Sequence, residues 1–253
     1  MNHHEQERFN HLDHQHLQAL KLQGKQGKTV DCYARSVRQI AGFSDHYPDN
    51  LSPKDLKIYF TWMLESYSLS STKVDLWGLS FFHRHVLGRS MDWVSIIKPP
   101  QSRSLSDIPT REEVQRLIQG VYRLRYRVFF FAVYNMGLRL GEGLDRQVGD
   151  IDAAQHRVHI RQGKGGQDRY VPLPDQTLLH LRRYWSSHRN PRWPFRNIAG
   201  GAASAPVARG PMDRGGVQAA MGAARISCGI QKHLTVPSLR PVSYTHLTLP
   251  TKA

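Results

Sequence analysis

The reading of this chain turns on Asn135-Met136-Gly137-Leu138-Arg139-Leu140-Gly141-Glu142. It follows the longest apolar run, Val128-Phe129-Phe130-Phe131-Ala132-Val133-Tyr134, which Arg127 and Arg139 flank. That run is far short of the ~20 residues a membrane span needs, so it reads as a buried core helix. Gly137 and Gly141 then break the helix and permit a turn that places Arg139 at a surface cleft. Strands are expected next at Val148 to Asp152, Arg157 to Arg161 and Asp168 to Pro172. The last two flank Gln162-Gly163-Lys164-Gly165-Gly166-Gln167, a glycine-rich hairpin loop. Helix returns over residues 175–186 and again from Val217 to Ile226. Between them residues 199–214, rich in Gly, Ala, Pro and Arg, read as a mobile loop.

Upstream, Thr110-Arg111-Glu112-Glu113 is a capping box that opens a helix, with Val114, Leu117, Ile118 and Val121 as its buried stripe. Residues 98–109 are dominated by Pro, Ser and charge without periodicity, and read as a linker. Residues 14–97 read as several helices. Lys28-Thr29 opens one, with Tyr33, Val37 and Ile40 at helical spacing. Ser52-Pro53-Lys54-Asp55 opens another with a cap, a proline at the first position and an acid in the first turn. Leu56, Tyr59, Phe60 and Met63 follow on one face. Ser70-Ser71-Thr72-Lys73 starts a third, continued by Leu76, Leu79, Phe82 and Val86 and stopped near Gly88. Trp62, Trp77, Phe81 and Phe82 are assigned to the core. Met1 to His16, polar and histidine-rich, reads as a frayed extension rather than a metal-binding segment or a secretory signal. The fold class is therefore mostly α with a small antiparallel sheet, in two domains.

The formal charge is +15 and the pI about 10.2. Residues 1–100 carry 12 basic and 10 acidic side chains, a net of +2; residues 101–253 carry 23 and 10, a net of +13. A balance this basic points to a polyanionic partner and puts the main phosphate-contacting surface in the second half. Cys32 and Cys228 lie far apart with no disulfide or zinc spacing, which fits a reducing, cytoplasmic compartment. No membrane association is expected.

Three basic positions carry the chemical reading: Arg139 in its turn, Lys164 at the hairpin tip, and Arg240 in Val236-Pro237-Ser238-Leu239-Arg240. Attack on a phosphodiester builds negative charge on the non-bridging oxygens, and two guanidiniums can clamp them with forked, charge-assisted hydrogen bonds. A lysine on a hairpin can protonate a leaving 5′ oxygen. Neither step needs a metal or another cofactor, and no cluster of acids is placed to hold a metal.

The ordered set resembles the tyrosine recombinase (phage integrase) family. Its elements here are Gly137-Leu138-Arg139-Leu140-Gly141-Glu142, Asp150-Ile151-Asp152, Gly163-Lys164-Gly165 with Arg169-Tyr170-Val171-Pro172-Leu173, and Thr235-Val236-Pro237-Ser238-Leu239-Arg240. Residues 14–97 resemble the family's helical core-binding domain, and 110–253 its catalytic domain. The resemblance implies two active-site arginines at Arg139 and Arg240, the hairpin lysine at Lys164, and at Glu142 an acid that orients the first arginine. It implies DNA contacts at Lys28, Thr29, Ser71, Thr72 and Lys73, with the two domains clamping the duplex. The implied reaction is site-specific DNA integration or recombination through a 3′-phosphotyrosyl intermediate. The implied partners are double-stranded DNA and, for the intact parent, further copies as a tetramer on two sites. A type IB topoisomerase shares the arginine and lysine chemistry, but the helical segment favours the integrase branch.

The match departs from the family pattern at Pro237, where the family has histidine, so a general acid–base contribution is lost there. Pro241 would disfavour the helix that continues from the second arginine. Tyr244-Thr245-His246 resembles the stretch around the family nucleophile, but only four residues past Arg240. Val242 to Thr251 also resembles a translated sequencing adapter. The sequence reading is accordingly of a catalytic domain genuine to about residue 240, with a doubtful tail over 241–253 and an unknown nucleophile. Missing C-terminal helices would leave apolar surface near Phe130 and Val133 uncovered. The competing reading is a non-catalytic DNA-binding protein that occupies recombination sites.

Overall fold

The computed structural model describes residues 3–44, 48–90, 107–161, 163, 166–198 and 206–240. The chain divides into two compact units, Met1–Arg103 and Ser104–Ala253.

The first unit is helical: α1 His3–Leu22, α2 Gly27–Phe43, α3 Pro53–Ser66 and α4 Leu69–His85. The Ser52 capping box at α3 forms, with Asp55 Oδ2 accepting from the Ser52 N–H at 2.9 Å. Ser68 caps α4, two residues before the expected start, and Gly88 at φ 64° follows its end. Val37, Ile40, Leu56, Tyr59, Phe60, Met63, Leu76, Leu79 and Phe82 form the core. Asp75, buried on α4, ties three helices together: it accepts from Ser36 Oγ of α2 at 2.7 Å and from Tyr59 OH of α3 at 2.6 Å. Gly78 lets α2 and α4 close up, since a Cβ there would stand 2.9 Å from the Ser36 side chain and 3.2 Å from Tyr33 Cα.

Two expectations for this unit are corrected. The N-terminal stretch read as a frayed extension is helix from His3. Phe9 and Leu12 pack on the core, His16 and Leu20 are fully buried, and Arg8–Asp49 and Arg38–Asp13 ion pairs fasten the helix. Its apolar stripe was masked because a histidine fills one of the inward positions, stacked at 5.8 Å on Phe81. Trp77, assigned to the core, is 62% exposed. Gly78 and Leu79 turn inward there and leave Trp77 on the outer face of α4.

The second unit comprises α5 Arg111–Gly120, α6 Leu124–Met136, α7 Leu140–Leu144, β1 Ile151–Asp152, β2 Arg157–Ile160, β3 Arg169–Pro172, α8 Asp175–Ser186 and α9 Arg214–Ser227. The strands form an antiparallel sheet in the order β1-β2-β3, with Val158 opposite Val171 and Ile160 opposite Arg169. The chain is thus α+β, as expected. The Thr110–Glu113 capping box forms at α5, and Lys232 pairs with Glu113 at 2.7 Å. The first expected strand is mostly a 3-10 turn, Val148–Asp150. Asp150 accepts from the Gln147 N–H at 2.9 Å and closes that turn, a local bond that competes with a strand ladder.

Phe129, Phe130, Val133, Leu138, Val158, Ile160 and Leu239 sit at the centre of the core. Phe130 and Val133 are fully buried, which corrects the expectation of bare apolar surface around them. Of the segment read as a mobile loop, residues 206–213 are tied down. Asn190 Nδ2 donates to the carbonyls of Pro206 and Ala208 at 3.1 Å each, and the Met212 N–H bonds Phe195 O at 2.8 Å. Most of the linker, residues 98–106, lies outside the described residues, as do residues 199–205 and 241–253. No helix among the described residues is long and apolar enough to cross a membrane.

Candidate active site

The site grows from the end of α6. Gly137 adopts φ 60°, the left-handed conformation that ends helices at low cost for glycine. The Leu138 N–H returns to Val133 O at 3.0 Å, and the Leu138 side chain is buried. Arg139 is thereby lifted out of the core in extended conformation as the residue preceding α7.

Glu142 fixes Arg139 twice. One carboxylate oxygen accepts from the Arg139 backbone N–H at 2.8 Å, and the other from its Nη1 at 2.7 Å. Arg169 on β3 adds a forked pair to the same carboxylate, at 2.9 and 2.8 Å. Glu142 is 8% exposed, and burial alone would raise its pKa. The bonds from Arg169 and Arg139 overcome that and hold it down at about 2. It is therefore an anion throughout the physiological range, and an orienting group rather than a proton carrier. The Arg139 side chain keeps 40% of its surface exposed.

Arg240 arrives from the far end of the chain. Leu239 is buried, the 3-10 turn Val236–Ser238 precedes it, and Arg240 Nε donates to Gly137 O at 2.9 Å. The second arginine thus docks on the carbonyl of the glycine that launches the first. Pro237 is exposed within that turn and brings no titratable group.

Lys164 lies outside the described residues. Its neighbour Gly163 is described, and a Cβ there would stand 2.8 Å from Gln167 O, 3.0 Å from Arg169 Nη1 and 3.9 Å from Glu142 Oε1. Only glycine allows the backbone at position 163 to lie this close to the Arg169–Glu142 pair. Arg146, buried beneath the site, donates from Nε to Glu142 O at 2.9 Å and from Nη1 to His159 O, joining α7 to β2.

The sequence motif contains Arg169 but implies no role for it. The available signal was strand alternation: Arg169 shares its face of β3 with Val171, which packs on the core. An arginine on that face needs a buried acid, and Glu142 supplies it.

The expected DNA contacts of the first unit do not all stand together. Lys28 and Ser71 are exposed, whereas Thr72 is fully buried with its hydroxyl on Met63 O and Ser68 O, so it leaves the set. Tyr33 meets Phe81, while Ser36 meets Gly78 and Asp75, so α2 and α4 run antiparallel. Lys28 and Thr29 consequently lie at the opposite end of the helix pair from Ser71 and Lys73.

Comparison with known proteins agrees with this geometry. The phage integrase family matches residues 109–248, a match that continues past Arg240 through a segment outside the described residues. The phage integrase N-terminal SAM-like domain matches residues 12–93. The Sinorhizobium fredii protein y4qK, named as an integrase/recombinase, is 30% identical over 83% of this chain and 68% of its own length. An Escherichia coli integrase/recombinase is 30% identical over 64% of this chain, which spans about half of that relative's length (49%). Among solved structures, lambda integrase residues 75–356 bound to DNA gives a TM-score of 0.71 at 17% identity, covering 95% of this chain and 87% of that one. A lambda integrase tetramer bound to a Holliday junction gives 0.69 at 17% identity, over 93% and 71%. At that identity the likeness speaks for the fold. With Arg240 docked on the turn that carries Arg139 and Glu142, and family matches over both units, the chain belongs to the phage integrase family of tyrosine recombinases, the family of site-specific DNA recombination.

Proposed function

We propose that this chain binds double-stranded DNA and seats one backbone phosphate between Arg139 and Arg240 for cleavage and rejoining through a 3′-phosphotyrosyl link. The observation that carries this reading is the docking of Arg240 Nε on Gly137 O, two residues from an Arg139 already fixed by Glu142. Two guanidiniums so placed can bind the non-bridging oxygens of one phosphate and stabilise the charge that builds on them during attack. A tyrosine hydroxyl gives its proton to water and attacks phosphorus, the P–O5′ bond breaks and the leaving 5′ oxygen takes a proton from Lys164, and the freed 5′ hydroxyl later reverses the step on a partner strand. No cofactor enters this chemistry. The nucleophile of this reading is unassigned, Tyr244 standing only four residues past Arg240, and assembly as a tetramer on two sites belongs to the same reading.

Pro237 supports the alternative. With no acid–base group at that position, a chain that binds recombination sites without cutting them is the second reading.

Incubating the full chain with a pool of nicked, sequence-randomised duplexes tests both. Recovery of one covalently attached sequence, lost in Arg139→Ala, is the expected result, and Tyr244→Phe reads whether that tyrosine carries the link. Salt-sensitive binding with no covalent product would select the second reading. Absence of binding even at low salt would remove both.

A further inference from the structure

We propose that His159 is a positioning residue for the glycine-rich hairpin: by holding Asp168 on the outer face of the sheet, it fixes the direction in which the loop presents Lys164. This rests on the function proposed above, in which Lys164 supplies the proton, and deepens it.

The loop from Gln162 to Gln167 contains three glycines and has few side chains with which to fix itself. Its described internal bonds run from the Gly163 N–H to Gln167 O and from the Gly166 N–H to Gly163 O, both at 2.9 Å. The direction of the loop is therefore set at its base. Where the chain returns into β3, successive side chains point to opposite faces. Arg169 takes the inner side and pairs with Glu142 at 2.8 Å. On the outer side Asp168 Oδ2 lies 3.0 Å from His159 Nε2. A carboxylate only accepts, so the imidazole N–H is the donor. A strand held on one face alone can pivot about that contact, and the second grip removes the pivot. Arg161 on the outgoing side pairs with Asp150 at 2.6 Å, so both stems of the loop are tied.

His159 is itself well fixed. It lies between the buried Val158 and Ile160, directly opposite Tyr170 in the ladder, and its ring stacks on that tyrosine at 4.9 Å. Arg157 lies over the same Tyr170 ring at 4.2 Å and pairs with Asp152 at 3.3 Å. Beneath, the His159 carbonyl accepts from Arg146 Nη1, and Arg146 Nε donates to Glu142 O at 2.9 Å. The residue that holds the hairpin and the acid that directs Arg139 are thus joined through one buried guanidinium. With Asp168 54% exposed, the pair adds little to folding stability, and its effect is on direction.

Two variants separate the bond from the packing. His159→Phe keeps a ring against Tyr170 and loses the donor; His159→Gln keeps a donor and loses the ring. In the full chain, His159→Phe is expected to raise amide hydrogen exchange across residues 161–168 about ten-fold at an unchanged melting temperature, while His159→Gln stays near the parent. Parent-like exchange in His159→Phe, equal loosening in both variants, or loosening of the whole second unit with lowered melting would each overturn the proposal. Cleavage is then compared on the duplex recovered from the randomised pool, made with oxygen or with sulfur at the bridging 5′ position. A thiolate leaves without a proton, so His159→Phe should slow the oxygen duplex about ten-fold and spare the sulfur one. Equal slowing of both, or of neither, removes the role of His159 alone. A parent chain that forms no covalent product with either duplex sinks the proposed cleavage, and this inference with it.

Discussion

The two units bury polar groups in opposite ways. In the first, Asp75 is met by two neutral hydroxyls, Ser36 and Tyr59, and His16 and His83 are enclosed so that burial lowers each pKa to about 4. Burial and that hydrogen bond push the Tyr59 hydroxyl the other way, upward, so it stays a donor. In the second unit, Glu142 is met by two guanidiniums, and the Arg139 side chain keeps 40% of its surface exposed. A buried acid held by hydroxyls joins helices and leaves nothing over. A buried acid held by a surplus of arginines fixes their direction and leaves cationic N–H groups facing outward for a ligand. One pattern is structural; in the proposed function the other is a binding device.

Acid should separate the units most strongly. His16 and His83 are neutral in both folded and unfolded chain above about pH 6.5, so their contribution is complete there. Between pH 6.5 and 4 the unfolded chain takes up protons that the folded unit refuses, and stability falls by up to about 3 kcal/mol for each histidine. His188 in the second unit, lowered by its own burial, acts in the same direction from one residue. Glu142, held at about 2, contributes above its ordinary range near 4.3 and loses that contribution only as the pH falls toward 2. Circular dichroism with tryptophan fluorescence from pH 7 to 3 should therefore show the first unit unfolding at the milder pH. A single transition below pH 4 would break the contrast. His16→Phe, which keeps a ring against Phe81 and Phe82, should shift the first transition to lower pH.

Replacing each acid by its amide tests the comparison next. Glu142→Gln removes the charge between two guanidiniums that are more than a third exposed, so the stability cost is screened to about 2 kcal/mol. DNA affinity and any cleavage should fall further than that loss explains, because Arg139 loses its direction. Asp75→Asn should cost about 1–3 kcal/mol by leaving one buried hydroxyl without its acceptor, and should spare the affinity of the folded chain. Equal effects of the two amides on DNA binding, measured where both variants are folded, would show that Glu142 is structural in the same sense as Asp75.

The same contrast governs how much was legible in sequence. Capping boxes at Ser52 and Thr110 and the apolar stripes of α3, α5 and α6 were readable because each is local. So were Arg139, Glu142 and Arg240, whose spacing carries the family pattern. The rest depends on contacts distant in sequence. Arg169 pairs with a carboxylate 27 residues away, and Arg240 binds a carbonyl 103 residues away. α1 was missed because His16 occupies an apolar position, and hydropathy cannot tell a neutral buried ring from a solvated one. Trp77 was misplaced because α4 turns its small Gly78, not its largest side chain, toward α2. Thr72 looked available because a hydroxyl bonded to its own helix and to Met63 O reads the same as a free one.

The smallest effects should come from the lysines of the first unit, and they bear on the charge asymmetry. Residues 1–100 carry a net of +2 against +13 for 101–253, so most phosphate neutralisation should belong to the second unit. Lys28 is exposed at the start of α2, and Lys73 lies at the other end of the helix pair. Removing either should change folding stability by less than about 0.5 kcal/mol, since neither forms an ion pair among the described residues. Each lysine that meets a phosphate should flatten the salt slope by about 0.9, so Lys28→Ala with Lys73→Ala should remove at most about 1.8. If that double variant removes most of the slope while Arg139→Ala and Arg240→Ala remove little, the first unit carries the electrostatic contact despite its near-neutral balance. Local placement of a few cations would then outweigh net charge, and the second unit's excess would have to serve something other than the duplex.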